Sequence, residues 1–128
     1  DEASQEQFAR QVLEALDAAR AVRGKAPARH LVEIASLSRL AAGRVQGGEA
    51  PLDVLQDLLQ QGTRVLGRST NGWALEAREI ASLEFPEELL TRDALELAIG
   101  VSHHKPAGEP WGRYVVLIVA PGQTGRGT

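Results

Sequence analysis

The chain has 128 residues, a formal net charge of −3, and neither cysteine nor methionine. That length predicts one domain able to bury a core without staples. The missing thiols exclude disulfides, thiolate nucleophiles and cysteine-based zinc sites. Arginines are scattered and aromatics few, so neither a basic footprint nor a stacking platform for nucleic acid is expected. No apolar run approaches the roughly 18 residues that cross a bilayer.

Elements follow in chain order. Ser4 with Gln7 three residues on has the form of a capping box, and Phe8, Val12, Leu16, Ala19 and Val22 recur at helical spacing. Glu6, Arg10 and Glu14 share another, solvated face. Gly24 and Pro27 end this first helix. A second helix is predicted from His30 to Val45, with Leu31, Ile34, Ala35, Ala41 and Val45 on its core side, stopping at Gly47-Gly48. A third starts at Pro51, a favoured first helical position, with Asp53 in its first turn. Its stripe is Leu52, Leu55, Leu59 and Leu66, weakened by Gly62.

After Gly67 the period changes. Trp73, Leu75 and Ala77 alternate with Glu76 and Arg78, which suggests a strand, while a helix over 74–83 is a rival reading because Ala, Glu and Leu favour helix. Pro86 starts a brief helix over Glu87 to Leu90. Leu95 to Ala120 then reads as a β-hairpin whose connection is punctuated by Pro106, Gly108, Pro110 and Gly112. Its second arm, Tyr114 to Ala120, is apolar on both faces, so both faces must be covered. The expected fold is therefore α/β (α+β): an α-β-α layered sandwich in which three N-terminal helices pack on a small, mostly antiparallel sheet. Residues 1–120 form the domain. The glycine-rich 121–128 read as a flexible tail or linker, and the opening DEASQEQF reads as a processed or excised start.

Candidates for chemistry are few. His103 and His104 are adjacent on a strand and so point to opposite faces, His103 with Leu97, Ile99 and Val101, His104 with Gly100 and Ser102. They cannot share one metal ion unless the strand breaks, and His30 lies far away, so no metal site and no cofactor is expected. The bland reading makes His104 a solvated strand-end residue and His103 a cap on the sheet edge. Glu87 and Glu88 are explained by the start of a short helix. Glu76, near Trp73, is the better acid-base candidate, with Glu79 behind it. Ser69 and Ser102 lack the glycines of a nucleophile elbow. Trp111, at the hairpin loop, is either a contact point or a lid on the core.

Several strings resemble the CAP superfamily of cysteine-rich secretory, antigen and pathogenesis-related proteins, in its bacterial SCP-like branch. VLEALDAARAVRGKAPARH (Val12 to His30) is similar to that family's opening helix, where an Asn-Ala-x-Arg segment precedes a Gly and a Pro. Asp17 stands where Asn is common, followed by Ala18, Ala19 and Arg20. LVEIASLSRLAAGRV resembles its alanine-rich second helix, and AIGVSHHKPAGEPWGRYVVLIVA its closing hairpin. The resemblance covers most of residues 8–120 by order, through short, degenerate motifs. It implies an α-β-α sandwich, export from the cytoplasm, and binding in place of catalysis. The family's two histidines and two glutamates for a divalent metal do not carry over. Arg39 and Leu40 occupy the region of the second-helix histidine, and only Glu76 or Glu79 comes near the Gly-Glu-Asn segment.

The expected function is a non-enzymatic binding module of an exported protein, periplasmic or extracellular. It offers a groove beside the C-terminal hairpin to a peptide, lipid or protein partner, with Trp73, Trp111, Tyr114, His103 and His104 as contact candidates. Alternatives are a hydrolase, metal-dependent or using Glu76 with His103 or His104, and an assembly subunit of a cell-envelope complex joined through a sheet edge.

Overall fold

The structure is a computed structural model that describes residues 2–105 and 108–122, with the side chains of Glu2 and Ala3 left aside. Pro106 and residues 123–128 of the tail expected over 121–128 lie outside the described residues, while Pro121, at the start of that stretch, is a buried residue of the last strand. The elements are helix α1 (Glu2–Val22), strand β1 (Arg29–His30), helices α2 (Ala35–Gln46) and α3 (Pro51–Leu66), strand β2 (Thr70–Ala77), helix α4 (Glu87–Thr91), and strands β3 (Glu96–His104) and β4 (Arg113–Pro121). Short 3-10 turns precede α2, at Val32–Ile34, and follow β2, at Ile80–Ser82.

The sheet order is β1-β3-β4-β2. β3 and β4 form the expected hairpin, β2 pairs antiparallel with β4 along its whole length, and the short β1 pairs parallel with β3 through Arg29 and His30. The apolar second arm therefore sits in the interior of the sheet, flanked by a strand on either side. Both of its faces are covered, and Val115 to Pro121 are all buried.

Alternation along the strands divides the core in two. Leu97, Ile99 and Val101 of β3 with Val116, Ile118 and Ala120 of β4 pack on Val12 and Leu16 of α1 and Leu89 and Leu90 of α4. Ala98, Val115, Leu117 and Val119 point the other way, onto Ile34, Ala41 and Val45 around α2 and Val54, Leu55 and Leu58 of α3. Each buried aliphatic side chain stabilises the fold by about 1.5–3 kcal/mol, so covering both faces of one hairpin supplies much of the driving force. The mixed α/β layered sandwich is what the hairpin pattern required.

Local expectations fare unevenly. α3 begins at Pro51 as expected and stops at Gly67. Its buried face is Val54, Leu55, Leu58 and Gly62, whereas Leu52 is exposed. Gly62 is no flaw in the stripe: it lies against Thr70, Val119 and Ile34, where a small residue lets the helix approach the sheet. α1 begins ahead of Ser4, so Ser4 is a helical residue and not a cap, and Val22 is exposed beyond the packed portion. Gly24 ends α1 with a positive φ of 73°, the left-handed backbone that favours glycine. The second helix does not start at His30. Arg29 and His30 are extended because the chain pairs with β3 there, and α2 begins at Ala35. The stretch around Trp73 is strand, not helix: pairing with β4 overrides the helical propensity of Ala74, Leu75 and Glu76.

Two polar residues of α1 fix the turns around it. Asp17 Oδ1 accepts a 2.8 Å hydrogen bond from the Ala28 amide. Arg20, fully buried, donates to the carbonyls of Ala26, Leu89 and Asp93. A buried cation is tolerable only when its donors are met, and here three backbone carbonyls meet them.

Candidate functional site

Two places beside the hairpin gather chemistry. The first is an aromatic cluster on the α1 side of the sheet end. His103 stacks on Tyr114 with ring centroids 4.1 Å apart and planes at 21°, and Phe8 of α1 meets both rings edge-on. The ring of His103 also crowds Gly112, where a Cβ would come within 2.9 Å of its Nε2. Trp73 lies on the same sheet face, packed against the core. Trp111 stands apart in the loop, 59% exposed, with the Arg78 guanidinium 5.8 Å from its ring centroid. Four of the five contact candidates thus lie at or near the sheet, and three of them, His103, Tyr114 and Trp73, share its α1 face.

His104 points to the opposite face, as the alternation of a strand requires. The expected roles are exchanged: His104 is half-buried and its Nδ1 is enclosed without a hydrogen-bond partner among the described residues, whereas His103 is the exposed one. The cap on the sheet edge is not His103 itself but Gln46, the last residue of α2. Its Nε2 donates to the His103 carbonyl at 2.7 Å, and its Oε1 accepts from the His103 amide at 2.9 Å. The side-chain amide mimics a neighbouring strand.

Glu76 shares the face of His104, but Arg113, which pairs with His104 across the hairpin, takes its carboxylate at 3.3 Å and binds Glu109 at 2.7 Å. An acid-base pair of Glu76 with His104 would have to displace that guanidinium. Among the described residues no group of three or more His, Asp or Glu is placed to hold a metal ion. His30 sits on β1, exposed and apart from the other two histidines.

The second place is a cleft of about 440 Å³ between α1 and α2 at the β1 side of the sheet. Ile99, Gly100 and Val101 of β3 form its floor. Ala9 and Leu13 wall it from α1, Ala35 from α2, and Glu6, Arg10, His30 and Arg39 stand around it. Its volume lies in the range of about 300–1,000 Å³ usual for ligand sites, with an apolar base and a polar rim.

Gly100 makes the cleft's geometry. A Cβ there would fall 2.2 Å from the backbone oxygen of Ser38, so only glycine lets α2 lie this close over β3. Ser38 is itself fully buried, its hydroxyl returned to the Ile34 carbonyl at 3.1 Å.

The sequence reading singled out none of the cleft's wall residues as a site. The Ile-Gly-Val start of the hairpin was the available signal, since a glycine inside a strand marks close backbone approach. Of the residues named as candidates, only His30, considered for metal, borders the cleft.

Ion pairs on the surface belong to the scaffold. Arg44 holds Glu49 and Asp57 together, and the hydrogen bond from Arg44 keeps the Glu49 carboxyl below its ordinary range. Among the described residues, no helix is long and apolar enough to cross a membrane. Comparisons with protein-family models, with curated proteins and with solved structures find no match for the chain.

Proposed function

We propose that the protein is a non-enzymatic binding module of an exported protein, and that the cleft along β3 between α1 and α2 is where it takes its ligand. The observation that carries this reading is the cleft itself: about 440 Å³, an apolar floor and a charged rim, on rigid elements of the fold. The resemblance of its sequence strings to the CAP superfamily implies export and a binding role, and helices on both sides of a mostly antiparallel sheet are compatible with that reading. The titratable groups favour binding over hydrolysis. Glu76 is engaged by Arg113, while His103 is stacked on Tyr114.

Binding is tested by NMR on the 15N-labelled protein with two probes, dodecanoate and a randomised pool of capped pentapeptides. A ligand that prefers the folded state also raises the melting temperature by mass action. The expected result is shift changes at Ala9, Leu13, Ala35 and Gly100 with at least one probe, lost in Ala35→Trp, which fills the cleft. Shifts confined to surfaces away from these residues would remove the cleft as the site. Export is tested by fractionating cells that make the full-length protein, and recovery from the cytoplasm alone would overturn it.

A further inference from the structure

The floor of the cleft is a sheet edge. β3 has one long neighbour, β4, to which Ala98, Gly100, Ser102 and His104 direct their backbone groups in the ladder, and the intervening residues turn theirs the other way. On that outer side the Arg29 amide donates to the Leu95 carbonyl and the Leu31 amide to the Leu97 carbonyl, both at 2.8 Å. His103 is met there by Gln46. Ile99 and Val101 lie between, and among the described residues their amides and carbonyls have no hydrogen-bond partner. Both residues are largely buried, at 6% and 1% exposure, and both line the cleft.

Unpaired backbone groups at a buried edge are costly and are usually met by some partner. Here they alternate, donor and acceptor, over about 7 Å of strand. The group that complements such a row is another strand backbone. The fold already fills the edge in this way on either side, with β1 below and the Gln46 amide above. We propose that the cleft binds an extended peptide segment of a partner polypeptide by strand addition to β3, pairing with Ile99 and Val101.

The walls describe the occupant further. The cleft lies between the two helical layers, so one extended chain fits, while the edge of a second sandwich would bring its own covering layers against α1 and α2. Side chains of an added strand alternate between the walls, one set toward Ala9 and Leu13 and the other toward Ala35 and Arg39. Small apolar side chains match the first wall.

This inference deepens the proposed binding role, and its test separates the two. The 15N-labelled full chain is titrated with the randomised capped pentapeptide pool and with the same pool N-methylated at alternate residues. Strand addition predicts shift changes and slowed hydrogen exchange at the Ile99 and Val101 amides, and affinity about fivefold or more weaker for the methylated pool, which has lost pairing donors. Ala35→Trp abolishes the effect, and Ala9→Trp on the opposite wall does the same if the first variant fails to fold. Equal binding of both pools overturns strand addition while leaving the binding role intact. Silence with both pools also overturns it, and dodecanoate then decides whether the cleft binds anything. Self-association in place of peptide binding, read by light scattering, would assign the edge to a second copy and overturn the proposal.

Discussion

Arg20 Nη1 donates a 2.7 Å hydrogen bond to the carbonyl of Leu89, although the two residues lie 69 positions apart in the chain. The same guanidinium reaches the carbonyls of Ala26 and Asp93, so one side chain of α1 ties together the turn after it, the middle of α4 and the loop beyond α4. Removing it takes the donor from the Leu89 carbonyl in a buried space and from the partly buried carbonyls of Ala26 and Asp93. Arg20→Ala is therefore expected to lower unfolding free energy by about 3 kcal/mol or more, measured by urea denaturation. Arg20→Lys restores charge but not the planar fork, and should recover only part. A loss within 0.5 kcal/mol would contradict this role.

Gly100→Ala should destabilise the protein by about 1–3 kcal/mol, because its methyl group meets the Ser38 carbonyl, which is backbone and cannot rotate aside. The strain should appear as amide shifts along α2 and as altered cleft geometry. Gly72→Ala is the control. There a methyl would meet the ends of Leu59 and Leu55, which are flexible, and a smaller loss is expected.

Gln46→Leu removes the two hydrogen bonds that close the edge at His103. The expected cost is about 1–2 kcal/mol, with faster hydrogen exchange at the His103 amide. Unchanged exchange at that amide would show that Gln46 does not protect the edge in solution.

Trp111→Ala should leave the melting temperature nearly unchanged, since the indole is 59% exposed and touches Arg78 at the surface. Peptide binding in the cleft should be unchanged as well. A large drop in melting temperature would make Trp111 part of the core.

Acid should weaken a specific loop contact. Lys25 Nζ donates a 2.6 Å hydrogen bond to Asp93 Oδ1, and this bond, followed by the charge of Lys25, holds the Asp93 carboxyl below its ordinary value of 3.8. A carboxyl whose folded value is depressed stabilises the fold above its unfolded value, and that contribution disappears as pH falls through the folded one. Stability should thus stay level from this source down to about pH 5 and decline below about pH 4. Asp93→Asn should show a shallower acid slope, and because Asp93 is exposed the difference should shrink in high salt. Identical slopes for both proteins would remove the contact from the acid response.

The central strand pair was legible because a run apolar on both faces permits one placement. Tyr114 to Ala120 demanded two covering layers, and α1 with α4 on one side and α2 with α3 on the other supply them. β1 was not legible. Two residues carry no period, and Arg29 and His30 become a strand only because Leu95 and Leu97 lie alongside. The start of α2 was misplaced for the same reason. The cleft was hidden because its character is set by tertiary approach: Ala9, Leu13 and Ala35 look like ordinary helix residues until Gly100 brings α2 close. The histidines drew attention by chemistry, yet the cleft lies along the part of β3 that precedes them.

The distant bonds of Arg20 also set an order of assembly. Its seat is built from α4 and the turn before β3, and the apolar side of α1 rests on the hairpin that follows. During synthesis α1 emerges early and waits, its greasy side bare, until that hairpin has left the ribosome. Such long-range closure slows folding and exposes the nascent chain to aggregation and to chaperones.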